Sequence, residues 1–263
     1  MNLGLEGRVA AIAGAGAGIG RACALAFADE GCHVALGARR GDQLASARAE
    51  VVARGVRVTE TCADLATDAG FSSLIAAAVD ELGGLDALVI SIGGTPLGGV
   101  DELDDASWEG AFRQKFLAAL RGVLLAVPHM RRGGGGGIVI VAGNGSRVGA
   151  ARMAMSAVIN GALERMVGDL ARRHAPDGIS VSVLSPGPVR TARYDALLGA
   201  LAAPGDADES AAERRLLASI PAGRPAQAAE IAAIAAFLAS PRGRHISGTT
   251  VLVDGGQSGA AGS

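Results

Sequence analysis

Several residue types are scarce in this 263-residue chain, and each scarcity narrows what the protein can be. Aromatic residues make up only 3% of the sequence, so we expect a core built from Val, Leu, Ile and Ala. The three cysteines, Cys23, Cys32 and Cys62, are odd in number and lack metal-binding spacing. They are best explained as buried, reduced thiols rather than a disulfide framework or a metal site. Lysine occurs only once, at position 115.

Long apolar runs and an excess of one charge are missing as well. No uninterrupted apolar run approaches the length of a membrane span, and no charged-then-apolar leader opens the chain. The formal net charge is −2, with acids and bases interspersed, so nothing favours binding to nucleic acid or to an anionic membrane. We expect a cytoplasmic protein that forms a single domain over residues 1–263, because α/β folds of this length are commonly one domain.

The sequence is organised around a glycine-rich turn. Residues 9–13, VAAIA, are typical of a buried strand, and the apolar spacing over residues 19–30 predicts a helix. Between them stand Gly14, Gly16, Gly18 and Gly20. Missing Cβ atoms and the N–H groups of a helix N-terminus favour a phosphate, so we expect a dinucleotide here. A tight packing turn without a ligand is the alternative.

The rest of the chain alternates between apolar strands and helical patterns. Strands are predicted at 33–37, 56–61, 85–92, 138–142, 180–184 and 250–253. Asp42 is a candidate cap for the second helix, and the glycines at 133–137 are predicted to form a flexible loop. This alternation indicates an α/β fold with a doubly wound parallel sheet, whose ligand lies beyond the carboxyl ends of the strands. Residues 190–225 leave the alternation after such an end. They are predicted to form a lid over the site, or else a solvated pair of surface helices.

The residues at the strand ends, taken in order, resemble those of the short-chain dehydrogenase/reductase family over essentially the whole chain. The matching motifs are Gly14-x-x-x-Gly18-Ile19-Gly20, Ala63-Asp64-Leu65, Ser185-Pro-Gly-Pro-Val-Arg-Thr191 and the ending from Ile246 to Gly256. The resemblance implies a seven-stranded Rossmann sheet and a homotetramer assembled through two long helices. It also implies a nicotinamide coenzyme held by Gly14, Gly16, Gly18, Ile19, Gly20, Arg39, Arg40, Asp64, Leu65, Ser91, Gly93, Asn160, Pro186, Gly187, Val189 and Thr191.

The end of the second predicted strand favours NADP over NAD. Ala38 stands where NAD-preferring relatives carry an acid, and Arg39 and Arg40 follow it. A carboxylate there would repel a 2′-phosphate, whereas guanidinium groups pair with a phosphate in bidentate fashion. NAD, with two solvated arginines, is the alternative.

The resemblance breaks at the residues that handle the proton. Family members use Asn, Ser, Tyr and Lys together, and the family spacing falls on Lys115, Gly143, Ser156 and Asn160. Serine has neither the reach of a phenol nor its tunable pKa, whereas Asn160 still offers hydrogen bonds to a ribose. We expect Lys115 to restore a cation to the volume that the family's lysine fills, as proton donor or electrostatic anchor, with a pKa below its ordinary value because water is excluded. A lysine that snorkels from a helix face is the alternative.

Tyr194 is the only tyrosine and lies in the predicted lid, so it is the one phenol available as a catalytic group; a ring packed within the lid is the alternative. The sequence therefore predicts an NADP(H)-dependent oxidoreductase that interconverts a ketone and a secondary alcohol. The alanine- and leucine-rich lid implies an apolar carbonyl substrate. Two other functions stay open, a nucleotide-binding sensor or partner subunit without turnover, and a lyase or isomerase that uses the same pocket.

Overall fold

A computed structural model describes residues 2–149, 152–201 and 209–260. Its parallel strands are β1 (Val9–Ala13), β2 (His33–Ala38), β3 (Val58–Cys62), β4 (Ala87–Ile90), β5 (Gly136–Val141), β6 (Ile179–Pro186), β7 (Val189–Arg190), β8 (Ala226–Gln227) and β9 (Thr250–Val253). The order β3-β2-β1-β4-β5-β6-β9 forms a seven-stranded sheet, and β7 pairs with β8 apart from it. The doubly wound Rossmann sheet predicted from the sequence is confirmed.

Helices connect these strands. They are α1 (Gly18–Asp29), α2 (Gly41–Val52), α3 (Asp68–Ala76), α4 (Asp105–Ala111), α5 (Ala118–Arg132), α6 (Ala154–His174), α7 (Ala192–Leu201), α8 (Glu209–Ala218), α9 (Ala228–Ala239) and α10 (Gln257–Ala260). One π-helical segment, Ala77–Leu82, extends α3, and a second, Phe112–Leu117, joins α4 to α5. No helix in the described ranges combines the length and the apolar character that a bilayer span requires.

Two apolar cores cover the two faces of the sheet. Strand side chains alternate between faces, so Ile12 of β1 joins a core with α1, α2 and α9, whereas Ala11 joins a second core with α3, α5 and α6. The fully buried rings of Phe27 and Phe71 lie in the first and second core, respectively. A Cβ added at Gly122 of α5 would collide with the Phe71 ring, so the scarcity of large side chains lets these helices approach closely.

Three local expectations are corrected by the structure. The glycine run 133–137 is not all loop, because Gly136 and Gly137 begin β5, and a Cβ at Gly137 would collide with the backbone of Ala239 in α9. Asp42 does not cap α2; it lies in the first turn, after an N-cap residue that makes no side-chain bond. Cys62 is exposed at the end of β3, whereas burial raises the pKa of Cys23 and of Cys32 to about 12.

A crevice forms at the carboxyl edge where β1 and β4 lie side by side. The chain proceeds outwards from β1 through β2 to β3 on one side, and from β4 onwards on the other. At this switch point Ser91 N donates to Ala13 O at 2.8 Å, which brings the end of β4 against the glycine turn. In open parallel sheets such a crevice is where ligands bind.

Candidate cofactor and active site

The glycine turn combines tight packing with an open helix N-terminus. A Cβ at Gly14, whose φ is +93°, would collide with the Ser91 carbonyl, and one at Gly20 would collide with the Gly14 carbonyl. The N-cap residue of α1, Ala17, makes no side-chain hydrogen bond, and the first turn of α1 contains no acidic residue. No side chain in the described ranges caps the backbone N–H groups of that turn, which leaves them available to an anion.

A cavity of about 510 Å³ opens beside this turn. Most of the residues expected to bind the coenzyme from the first four strand ends line it, namely Gly14, Gly16, Arg39, Arg40, Asp64, Leu65, Ser91 and Gly93. Arg39 and Arg40 are exposed there, and neither guanidinium forms an ion pair with another described residue. Ile19 packs against the first core instead, and Gly20 contacts the Gly14 carbonyl.

The loop after β6 faces the start of α1. A Cβ at Gly18 would stand 3.5 Å from Thr191 Cγ2, and Thr191 Oγ1 donates to Val189 O at 3.2 Å. Gly187 lies against Asp254, where a Cβ would come within 2.9 Å of the aspartate Cβ. The segment Pro186–Thr191 is thus held between the C-terminal strand β9 and the glycine turn.

Lys115 is a buried cation that reaches from the end of β4 to the end of β5. It lies in the π-helical segment and is 9% exposed. A Cβ at Gly93 would stand 2.9 Å from Lys115 Cβ, and Lys115 Nζ donates a long hydrogen bond of 3.5 Å to Ala142 O. Burial, with Arg193 as a second cause, lowers the pKa of Lys115 to about 8, in the direction predicted from the sequence. Short π-helical segments frequently mark functional sites.

Ser156 and Asn160 meet on one face of α6, next to Gly143. Asn160 is 1% exposed, and its Nδ2 donates to Ser156 Oγ at 3.0 Å. A Cβ at Gly143 would lie 3.2 Å from Asn160 Nδ2. Asn160 Oδ1 is buried and accepts no hydrogen bond from any residue that the structure describes. Because a buried acceptor without a partner costs about 1–3 kcal/mol, this oxygen suits a hydroxyl donor supplied by a ligand.

Tyr194 of α7 is hydrogen-bonded to α8. Its side chain is buried, and its hydroxyl donates to Glu213 Oε1 at 3.0 Å. Arg190 stacks over the ring at 5.0 Å and also pairs with Glu213 at 3.0 Å. Burial and the hydrogen bond to Glu213 raise the pKa of the phenol, which makes it a weaker proton donor.

Known proteins match this chain over almost its whole length. A family model described as enoyl-(acyl carrier protein) reductase matches residues 14–258. A short-chain dehydrogenase/reductase of Armillaria gallica is 32% identical, over 95% of this chain and 96% of that protein. This chain belongs to the short-chain dehydrogenase/reductase family. NADPH-dependent reductase BacG of Bacillus subtilis is 29% identical, over 95% of this chain and 97% of its own length.

A solved structure superposes on this short-chain dehydrogenase/reductase over nearly its whole length. L-sorbose reductase from Gluconobacter frateurii, complexed with NADPH and L-sorbose, superposes with a TM-score of 0.91 at 31% identity, over 98% of both chains. The present chain is therefore an NAD(P)-dependent dehydrogenase/reductase with a single Rossmann-like domain.

The site of this dehydrogenase/reductase fits a nicotinamide coenzyme on its own geometry. The uncapped first turn of α1 suits a pyrophosphate, and the cavity beside it, about 510 Å³, is of a size usual for ligand pockets. Asp64 and Leu65 stand at the end of β3 on the same cavity. Asn160 Oδ1 of α6, which has no partner among the described residues, adds a buried acceptor beside Gly143.

Three polar residues at this site were missed by the sequence reasoning. Gln43 and Gln114 line the cavity, and the Gln43 side chain lies beside the turn, because a Cβ at Gly16 would stand 3.6 Å from its Oε1. Arg193 extends from α7 to the loop after β4, where its Nη2 donates to Thr95 O at 3.5 Å. Gln43 had a local signal, as a polar residue in the first turn after Arg40. Arg193 had none, because its contact joins segments far apart in the chain.

Proposed function

We propose that this protein is an NADP(H)-dependent reductase that interconverts a ketone and a secondary alcohol, with Lys115 handling the proton. The observation that carries the proposal is the buried ammonium at the end of β4, held between Gly93 and the Ala142 carbonyl. A cation shielded from water interacts strongly with charge that develops on a substrate oxygen.

A nicotinamide coenzyme held at the glycine turn and the adjoining cavity would supply a hydride to the carbonyl carbon. Lys115 Nζ then donates a proton to the carbonyl oxygen as it becomes a hydroxyl, and takes it back in the direction of oxidation. With a pKa of about 8, the amine is mostly protonated at neutral pH and loses its proton more readily than an exposed lysine would. The buried position also keeps water away from the transfer.

In this proposal, Lys115, Gly143, Ser156 and Asn160 occupy the four positions at which family members carry Asn, Ser, Tyr and Lys. Asn160, oriented by its bond to Ser156, offers Oδ1 to a ribose hydroxyl. Tyr194 acts in the lid rather than as the acid, since its hydroxyl is committed to Glu213. The lid spans residues 190–225, of which 202–208 lie outside the described residues.

The central experiment is NADPH consumption with a panel of ketones, followed by absorbance. Lys115→Met should abolish turnover while NADPH binding persists. Arg113→Met is the matched control, because it removes an exposed cation from the same π-helical segment, and it should keep its activity. Unchanged turnover in Lys115→Met would remove the lysine from the mechanism. Tight NADPH binding without turnover on any ketone would favour a sensor or partner subunit, and product without a change in nicotinamide absorbance would favour a lyase or isomerase.

We further propose that NADP is preferred over NAD through Arg39 and Arg40. Both arginines line the cavity and neither has an acidic partner in the described part of the chain, so both are available to a 2′-phosphate. Arg39→Ala should weaken NADPH binding by about tenfold or more, as expected for the loss of a charge-assisted contact, and leave the affinity for NADH unchanged. Arg48→Ala, an exposed arginine of α2, is the control. Equal losses for both coenzymes would contradict the assignment.

The assembly proposed is a homotetramer. Leu117 at the end of the π-helical segment, Leu124 of α5 and Val158 of α6 are large apolar side chains that stay exposed, at 43%, 54% and 49%. Light scattering should give a mass four times the 26.0 kDa of one chain. Leu124→Arg should dissociate it, and a monomeric wild-type protein would contradict the proposal.

A further inference from the structure

Two cationic side chains, Lys115 and Arg193, pack against consecutive residues at the end of β4. Lys115 packs its stem against Gly93, and the guanidinium of Arg193 occupies the space in which a Cβ of Gly94 would stand. Consecutive Cα atoms are about 3.8 Å apart, so the two side chains flank a single peptide unit. Their electrostatic influence is mutual, since Arg193 contributes to the lowered pKa of Lys115.

Neither cation is neutralised by a carboxylate that the structure describes. Lys115 and Arg193 form no ion pair with any carboxylate of the described ranges, and their polar contacts are long hydrogen bonds of 3.5 Å to the carbonyls of Ala142 and Thr95. The neighbouring arginine of the lid, Arg190, is in contrast paired with Glu213 at 3.0 Å. Two like charges that influence each other without a described counter-ion are unfavourable, and an anion bound near both would offset that cost.

The place of Arg193 in α7 is unfavourable for a cation. It lies in the first helical turn, where the helix dipole disfavours a cation and favours an anion. Asp195, the acid of the same turn, is two residues further on, and side chains at that spacing do not face each other. The helix dipole therefore does not compensate the charge of Arg193.

We propose that Arg193 and Lys115 form a two-cation site for an oxo acid, so that the substrate is a ketone that also carries a carboxylate. This rests on the proposed function, because it assigns the substrate class of that same site. Arg193 receives the carboxylate in bidentate fashion, and Lys115 faces the carbonyl oxygen. The remainder of the substrate stays apolar, as the lid composition implies.

The test measures binding to the NADP⁺ complex, which holds the ketone without turnover. Pyruvate, acetoacetate and levulinate are each compared by calorimetry with their methyl esters, which keep the ketone and lose the charge. At least one acid should bind wild-type protein about tenfold tighter than its ester, the gain expected of a charge-assisted bidentate contact. In Arg193→Met the preference should fall to about twofold or less. Arg173→Met, an exposed arginine about 25 Å along α6 from Ser156, should retain it.

The outcomes separate this inference from the proposed function. NADP⁺ affinity within about twofold of wild type in Arg193→Met, with the acid preference lost, supports the carboxylate site. A tenfold loss of NADP⁺ affinity in that variant would overturn it, because the anion would then belong to the coenzyme. Equal binding of acid and ester in all three pairs would also overturn it, while leaving the reductase proposal intact. Wild-type protein that fails to bind NADP⁺ would overturn both.

Discussion

Replacing Lys115 with methionine should stabilise the protein, because a buried charge is removed. The side chain is 9% exposed, and burial is the first cause of its lowered pKa. Its pKa falls from 10.5 to about 8. A tenfold change in proton affinity corresponds to about 1.4 kcal/mol, so the charged lysine destabilises the folded state by about 3 kcal/mol. Methionine fills a similar volume without a charge, so Lys115→Met should recover most of this free energy.

The gain has a defined pH dependence. Below pH 8 the lysine is protonated in both the folded and the unfolded protein, and the full penalty applies. Between pH 8 and 10.5 the folded state loses its proton first, so the wild-type protein becomes more stable relative to the variant as pH rises. By about pH 9.5 the difference in free energy of unfolding should be less than half its value at pH 7.

Thermal unfolding of the apo protein measures this effect. Lys115→Met should unfold about 6 to 10 °C above wild type at pH 7, because about 1 kcal/mol shifts Tm by 2–4 °C in a domain of this size. Arg113→Met should leave Tm within about 1 °C. Since the chain has one lysine, ¹³C-labelled lysine also gives a single side-chain resonance whose titration reads the pKa directly. An unchanged or lower Tm in Lys115→Met, or a resonance that titrates near 10.5, would refute the burial of this charge.

Three further substitutions test the surrounding geometry. Gly14→Ala should abolish coenzyme binding and lower Tm, because its φ of +93° and its neighbours exclude a side chain. Gly149→Ala, whose added Cβ meets open space, should leave both unchanged. Equal effects of the two substitutions would contradict the tight turn. Gly143→Ser should fold with Tm within about 2 °C of wild type, since its backbone is extended and one neighbour lies 3.2 Å from the added Cβ. Tyr194→Phe should retain turnover within about twofold. It should lose about 1–2 kcal/mol of the free energy of unfolding, measured in urea, because its hydrogen bond to Glu213 is lost. Loss of turnover at unchanged stability would instead identify the phenol as the acid.

The parts of the fold that depend on local signals were predictable. The run Val9–Ala13 is apolar throughout, and the glycines after it remove side chains at the one place where β1, β4 and α1 converge. Both signals can be read from neighbouring residues alone. The parallel sheet follows in the same way from continuous apolar strands, because such strands must be covered on both faces.

Other features depend on contacts between distant segments. Gly136 and Gly137 carry no strand propensity, yet they begin β5, where the backbone of α9 lies too close for a side chain at Gly137. Phe112–Leu117 forms a π-helical segment rather than an ordinary helical turn, and Lys115 is buried within it. Arg193 reaches its position only because α7 folds back towards the loop after β4, which no local pattern encodes.

The pH dependence of NADPH-driven ketone reduction tests most directly whether Lys115 supplies the proton. The rate should fall with one descending limb at an apparent pKa of about 8, because the reaction needs the ammonium form. In a folded Lys115→Arg variant, whose guanidinium stays protonated, that limb should disappear from whatever activity remains. The same limb in both proteins, at comparable rates, would show that another group donates the proton and would contradict the account.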